Sequence, residues 1–260
     1  MLEEIQMIND SKLGTKSNGK YHTSSCYFLD LRNSTRIIRE LSLEDGTSTR
    51  ETRKNLKKHA EFMIDIHRQL ENKLNCMSAN NKKLEYFFND TGDGHMCLFW
   101  DEAHAWRALD LACHIYVYLH SNKKLEKHNE WIKKVLKKGE LQLGFGIGLH
   151  TGGSVVYEKK AFGRDYAFGI AINSAARMES FTKLFKKLKF LFSGYLCNFL
   201  KKQFANITIN NVTNFDDLLN KQLVLVVEQK ADIKDERPSG HKLWTIKKPD
   251  FFSGKIHYIF

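Results

Sequence analysis

The sequence predicts an α+β fold, a β-α-β-β-α-β core with extra strands, on three observations. A short apolar run, Cys26 to Leu31, ends in Asn33-Ser34-Thr35, the pattern of a buried strand passing into a capped helix. The stretches Leu84 to Phe88 and His95 to Phe99 flank Thr91-Gly92-Asp93-Gly94, which reads as a hairpin with Asp93 at its tip. Between and after these strand signals, apolar residues recur at helical spacing, as in Leu56, Ala60, Met63, Ile64, His67 and Leu70.

Taken in order, Asn9 to Lys20 is rich in Ser, Gly, Asn and Lys without apolar periodicity, so residues 1–20 read as a flexible lead-in and the fold starts near Tyr21. After the first strand, helical spacing runs from Glu51 to Lys73, the hairpin follows, and helices are expected over about Glu102 to His120 and Glu126 to Lys138. Leu141 to His150 and Ser154 to Tyr157 read as two strands joined at Thr151-Gly152-Gly153. A helix over about Gly169 to Phe185, a strand Leu188 to Phe192, a helix Tyr195 to Lys202 and a closing hairpin of Leu223 to Glu228 with Lys242 to Ile246 complete one domain, 21–248. Residues 249–260 are left as a C-terminal tail that either packs on the domain or engages a partner. This order describes a ferredoxin-like palm, which suits metal-dependent nucleotidyl transfer without establishing it.

With 260 residues and 42% hydrophobic content, the chain can bury one substantial core. No apolar run approaches the roughly 20 residues of a membrane span, and Met1 to Gly14 lacks the apolar centre of a signal peptide, so a cytoplasmic protein with no membrane partner is expected. The five cysteines form no CxxC pair and read as buried free thiols. None of the 11 histidines falls in a tight metal-ligand pattern, so zinc is not indicated. A net charge of +11 favours a polyanionic partner such as a nucleotide, nucleic acid or membrane surface. Much of the excess sits in clusters such as Lys123, Lys124 and Lys127, Lys133, Lys134, Lys137 and Lys138, and Lys183, Lys186, Lys187 and Lys189. Helical spacing assigns these to solvated faces and speaks against nucleic-acid binding.

Asp30 and Asp93 each sit at the mouth of a small polar turn, where two carboxylates can hold a pair of cations for phosphoryl chemistry. Ordinary roles are also open to them, Asp30 as a helix cap and Asp93 as a turn residue. The turn through Asn33, Ser34 and Thr35 exposes unpaired amides at a helix start, which suits a triphosphate tail and is compatible with plain capping. Asn173 and Arg177 lie four positions apart, on one face of a helix.

Four segments in this order, Phe28 to Thr35, Thr91 to Gly94, Gly148-Leu149-His150-Thr151-Gly152 and Gly169 to Glu179 with Asn173 and Arg177, resemble the catalytic domain of class III nucleotidyl cyclases from about Ser24 to about Lys247. The resemblance implies that Asp30, Asp93 and the Leu31 carbonyl hold two Mg2+ or Mn2+ ions per active site. It implies that Asn173 orients the ribose of a nucleoside triphosphate while Arg177 stabilises charge on the α-phosphate, a task that suits a guanidinium fork. A late lysine that binds the terminal phosphates is best matched by Lys234, although Asp235-Glu236-Arg237-Pro238 departs from the family's glycine-rich stretch. His150 falls in a family structural turn. The metal aspartates and the Asn/Arg pair of one site come from different protomers in this family, so a homodimer with composite active sites is implied.

The positions that read the base in this family fall on Asn89 and Tyr166, and neither the adenylate nor the guanylate pair is present. An Asn amide both donates and accepts, and a Tyr fills space left by a smaller ring. This departure, with the Asp-Leu-Arg-Asn-Ser-Thr form of the first motif, is similar to the pyrimidine cyclases of bacterial anti-phage Pycsar systems, which implies UTP or CTP as substrate. Adenylate cyclase activity is the alternative, should Asp90 or Asp165 enter the base pocket. Diguanylate cyclases share the palm, but their GGDEF signature is missing. The non-enzyme alternative is a basic nucleic-acid-binding or regulatory domain derived from a cyclase, which the lack of aromatics interleaved with the basic clusters disfavours.

Overall fold

The computed structural model describes residues 19–42, 49–80, 84–157, 166–184, 188–209, 212, 214–227, 242–253 and 256–258. Strand β1 (Gly19–Arg32) leads into α1 (Ser34–Ser42) and the long α2 (Thr49–Asn80), followed by the hairpin β2 (Tyr86–Asp90) and β3 (Gly94–Phe99). Helix α3 (His104–Tyr116), continued by a π-helical turn, and α4 (Lys124–Leu136) lead to β4 (Gly144–Tyr157), β5 (Tyr166–Gly169) and α5 (Ile170–Phe181). The remaining elements are β6 (Phe190–Ser193), α6 (Gly194–Lys202), β7 (Ile207–Ile209), α7 (Phe215–Gln222), β8 (Leu223–Val227), β9 (Leu243–Ile246) and β10 (Ile256–Tyr258).

The main sheet runs β2-β3-β1-β4-β6-β9-β8, with β5 on β4, and its β2-β3-β1-β4 portion is antiparallel throughout. This is the strand order and sense of a β-α-β-β-α-β palm. Alternation along β1 divides the two faces. Tyr27, Leu29 and Leu31 enter a large core with Leu70 of α2, Trp106 of α3 and Ile132 of α4, whereas Cys26 and Phe28 meet Met96, Leu98 and the Ala171 and Ala175 face of α5. Helix α5 lies so close to β4 that a Cβ on Gly148 would stand 2.1 Å from the Ala175 carbonyl oxygen.

Two expectations need correction. The stretch from 144 to 157 is one strand, paired with β1 over its whole length from Gly19↔Tyr157 to Arg32↔Gly144, with no turn at Thr151-Gly152-Gly153. Gly153 serves a close approach instead: a Cβ there would sit 2.5 Å from the Tyr21 hydroxyl of the neighbouring strand. The second concerns thiols, since Cys76 on α2 is exposed while the other four cysteines are free and buried as expected.

Residues 249–253 and 256–258 join the same body. β10 pairs with β7, and Tyr258 lays its ring over the guanidinium of Arg107, 3.7 Å from the ring centre. Arg107 is fully buried and ion-paired with Asp101 at 3.1 Å, and Asp110 beside it takes Lys73 at 2.7 Å and the Tyr258 hydroxyl at 3.3 Å.

Candidate active site

Asp30 stands near the end of β1 on the α5 side, opposite Gly94 of β3 and Gly146 of β4. Its carboxylate is partly exposed and faces Lys183 Nζ at 3.5 Å. The same ammonium lies 3.6 Å from Glu179, which is buried and also receives Arg32 Nη2 at 3.4 Å. Arg32 donates further to Thr182, so the end of β1 is fastened to the end of α5. Burial, and then the negative charge of Asp30, raise the Glu179 carboxyl above its ordinary pKa against the pull of Lys183 and Arg32.

Asp93 occupies the loop of the β2–β3 hairpin, shaped by the Thr91 amide donating to the Gly94 carbonyl at 3.0 Å and the Gly92 amide to Asp90 Oδ1 at 2.8 Å. The Leu31 amide donates to the Asp93 carbonyl at 3.0 Å, which places both acidic residues at one end of the β1–β3 pair. The Leu31 side chain is in the core.

Asn33 adopts a left-handed backbone with φ of 65°, and its carbonyl accepts the Ile37 amide at 2.9 Å to open α1. Its side-chain amide donates to the Gln142 carbonyl at 2.8 Å, so the amide group is engaged away from the turn. The Ser34 hydroxyl is buried without a hydrogen-bond partner, and Thr35 Oγ1 donates to Asp93 Oδ2 at 3.4 Å. Ser34, Thr35 and Asp93 line a cleft of about 880 Å³ whose far wall is the apolar and histidine side of α2, including Met63 and His67.

Asn173 and Arg177 lie on α5, the first exposed and the second half-buried, while Ala171, Ser174, Ala175 and Met178 face the sheet. The level of Asp30 is met by Glu179 and Lys183. Asn173 is therefore roughly 9–15 Å back along the helix axis, at 1.5 Å rise per residue. One chain thus gathers Asp30, Asp93, Ser34 and Thr35 at one end of the sheet and leaves Asn173 towards the other.

Asn89 is exposed on β2, two positions from Phe87, which packs on the α5-side cluster. Tyr166 opens β5 half exposed, next to Ala167, which packs on that same cluster. Alternation then sends the Asn89 and Tyr166 side chains to opposite faces. His150 is a buried strand residue, its ring edge-on to Tyr195. Lys234 and Asp165 lie outside the described residues.

The residues missed from sequence are Arg32, Glu179 and Lys183. Helical spacing alone puts Lys183 on a solvated lysine face; the packing of α5 against β1, which no local spacing encodes, brings it to Asp30.

No family model and no curated protein matches the sequence. Solved structures do. The chain superposes on a bacterial light-regulated adenylyl cyclase with a TM-score of 0.55 at 15% identity, covering 90% of its own length and 53% of that chain. A second structure of a bacterial light-regulated adenylyl cyclase gives a TM-score of 0.53 at 14% identity, covering 88% of this chain and 92% of the other. An adenylate cyclase from Trypanosoma brucei, in its monomeric state, gives a TM-score of 0.54 at 14% identity, with 91% of this chain and 93% of the other covered. The fold is that of a class III cyclase domain. The cyclase fold accounts for the order of strands and for helix α5 across β4. The chain spans about half the length of the light-regulated protein in the first comparison. Among the described residues no helix is long and apolar enough to cross a membrane.

Proposed function

We propose that the chain is a nucleotidyl cyclase, converting a nucleoside triphosphate to its 3′,5′-cyclic monophosphate and pyrophosphate. The observation that carries this reading is the meeting of Asp30 and Asp93 at one end of β1–β3, beside the start of α1, on a class III cyclase fold. The first amides of α1 have no partners within the helix and turn its positive end towards an anion, which suits the triphosphate. The unpartnered Ser34 hydroxyl adds a donor there.

The donor set fits divalent cations. Two carboxylates with room for water and phosphate oxygens suit Mg2+ or Mn2+, and the Lys183 ammonium already marks a place for positive charge at Asp30. Two such ions, held by Asp30, Asp93 and the Leu31 carbonyl, would neutralise phosphate charge and activate the ribose hydroxyl. In the reaction the ribose 3′ oxygen bonds to the α-phosphorus, the bond to the pyrophosphate oxygen breaks, and the 3′ proton is lost. Arg177 is suited to grip the α-phosphate as charge builds, Asn173 to hold the ribose, and Lys234 to bind the terminal phosphates. The separation of Asn173 from Asp30 along α5 supports a head-to-tail homodimer in which each chain completes the other's site.

Asn89, on the Asp30 face of the sheet at a position where neither the adenylate nor the guanylate residue stands, supports UTP or CTP as substrate, with the cyclic pyrimidine nucleotide as a second messenger in anti-phage defence; Tyr166, on the opposite face, takes no part in that reading. A second reading, cyclic AMP synthesis, is favoured by the adenylyl cyclases among the structural neighbours. Incubating the protein separately with ATP, GTP, CTP and UTP plus Mg2+ or Mn2+ and separating the products by mass decides between them. Cyclic UMP or cyclic CMP as main product is expected. Cyclic AMP would establish the second reading, and no turnover with any of the four would refute both.

A further inference from the structure

On the face of the sheet opposite Asp30, three residues distant in sequence meet. His67 of α2, Asp90 at the end of β2 and His95 near the start of β3 place one donor atom each within 4.8 Å of one another. Strand register pairs Asp90 with His95, and His95 with Leu29, whose side chain enters the α2-side core. His67 Nδ1 lies 3.6 Å from Asp90 Oδ2, and His95 Nδ1 lies 3.9 Å from Asp90 Oδ1.

The hydrogen bonding of this cluster is incomplete in an instructive way. His95 is only 3% exposed, yet neither of its ring nitrogens has a hydrogen-bond partner, and His67 Nδ1 has none either. Buried polar atoms left this way destabilise the fold unless something fills the gap. Meanwhile the other nitrogen of His67, Nε2, is 3.1 Å from Glu71. A carboxylate there holds the proton on Nε2 and turns the Nδ1 lone pair towards Asp90, the arrangement by which proteins orient metal-bound imidazoles. Asp90 is itself fixed by the Gly92 amide.

We propose that His67, Asp90 and His95 bind a zinc-class transition metal, with ligands distinct from Asp30 and Asp93 but in the cleft that Ser34, Thr35 and Asp93 also line, which ties α2 to the hairpin carrying Asp93. Two imidazoles and one carboxylate select such an ion over Mg2+, which prefers an all-oxygen shell. Tetrahedral ligands at about 2.1 Å from an ion stand about 3.4 Å apart, so three donor atoms lying within 4.8 Å of one another come into range with side-chain movements of about 1 Å. Half-exposed Asp90 and the 880 Å³ cleft lined by all three residues admit the ion and leave its fourth position to water. Scattered at positions 67, 90 and 95, the ligands carry no sequence spacing that marks them.

Co2+ is the probe, titrated into the full chain in excess Mg2+ and followed by its visible absorption, with Zn2+ as competitor. One Co2+ per chain with a tetrahedral spectrum, displaced by Zn2+, is expected. His67→Ala should weaken binding at least about 100-fold and Glu71→Gln about 10-fold, whereas Asp30→Asn should leave it unchanged. The proposal is overturned if the wild type binds neither metal above its Mg2+ background, if His67→Ala binds as well as wild type, or if Asp30→Asn abolishes binding. Should His67→Ala fail to fold, Glu71→Gln, which alters no ligand, decides by the same titration. This readout needs no nucleotide, so it stands or fails apart from cyclase activity.

Discussion

An ammonium 3.5 Å from Asp30 competes with any divalent cation for the same carboxylate. Lys183 is about half exposed, so the contact is screened and worth no more than roughly 1 kcal/mol. Lys183→Met should therefore lower the Mg2+ concentration for half-maximal turnover about two- to fivefold, measured as pyrophosphate release; an unchanged value would mean that Lys183 leaves the carboxylate when the site is loaded. Asp93→Asn should reduce turnover at least about 100-fold in the same assay with little change in melting temperature, because the hairpin backbone bonds remain. At this scale Asp30, Asp93 and the Ser34–Thr35 turn were legible because each stands where a strand meets a turn. Glu179 and Lys183 were not, because their partners Arg32 and Asp30 lie on another element about 150 residues away.

Helix α5 rides on a groove that only glycine can line. The Gly148 Cβ would collide with backbone atoms of Ala175 and Glu179, which cannot rotate aside as a side-chain tip can. Gly148→Ala should cost about 1–3 kcal/mol by displacing the helix, seen as a fall in melting temperature of roughly 2–4 °C per kcal/mol, with turnover lost alongside it. The long α2 and the β2–β3 hairpin could be read in advance from apolar periodicity and Gly-Asp-Gly. Read alone, Thr151-Gly152-Gly153 is a turn signal; paired across β1, it is strand. The three-residue strands β7 and β10 carry no periodicity of their own and exist because they find each other across the chain.

For the whole molecule, two tests follow from charge and symmetry. His104 and His128 are held neutral by burial, their pKa values lowered from 6.5 to about 4 and about 3. The unfolded chain takes up these protons near pH 6.5 and the folded chain does not, so their contribution is present above that pH and is lost as pH falls towards 4. Melting temperature should drop over that window, and His104→Gln, keeping a polar partner for Ser25, should flatten the drop. If each site is shared between two chains, Asp30→Ala and Arg177→Ala proteins, inactive alone, should recover about a quarter of wild-type turnover after subunit exchange, since half the pairs are mixed and each has one intact site. No recovery would refute the shared site.

The cap that Tyr258 places over Arg107 also has a timetable. Asp110, beside that guanidinium, leaves the ribosome 148 residues ahead of Tyr258, an interval of roughly 7–30 s at ordinary elongation rates. Throughout it, a nascent chain in which only β1, β2 and β3 can pair at the outset, the later strands joining one by one, holds a cation and its carboxylates beneath an unfinished roof, a natural stage for chaperone engagement and for errors introduced by premature termination.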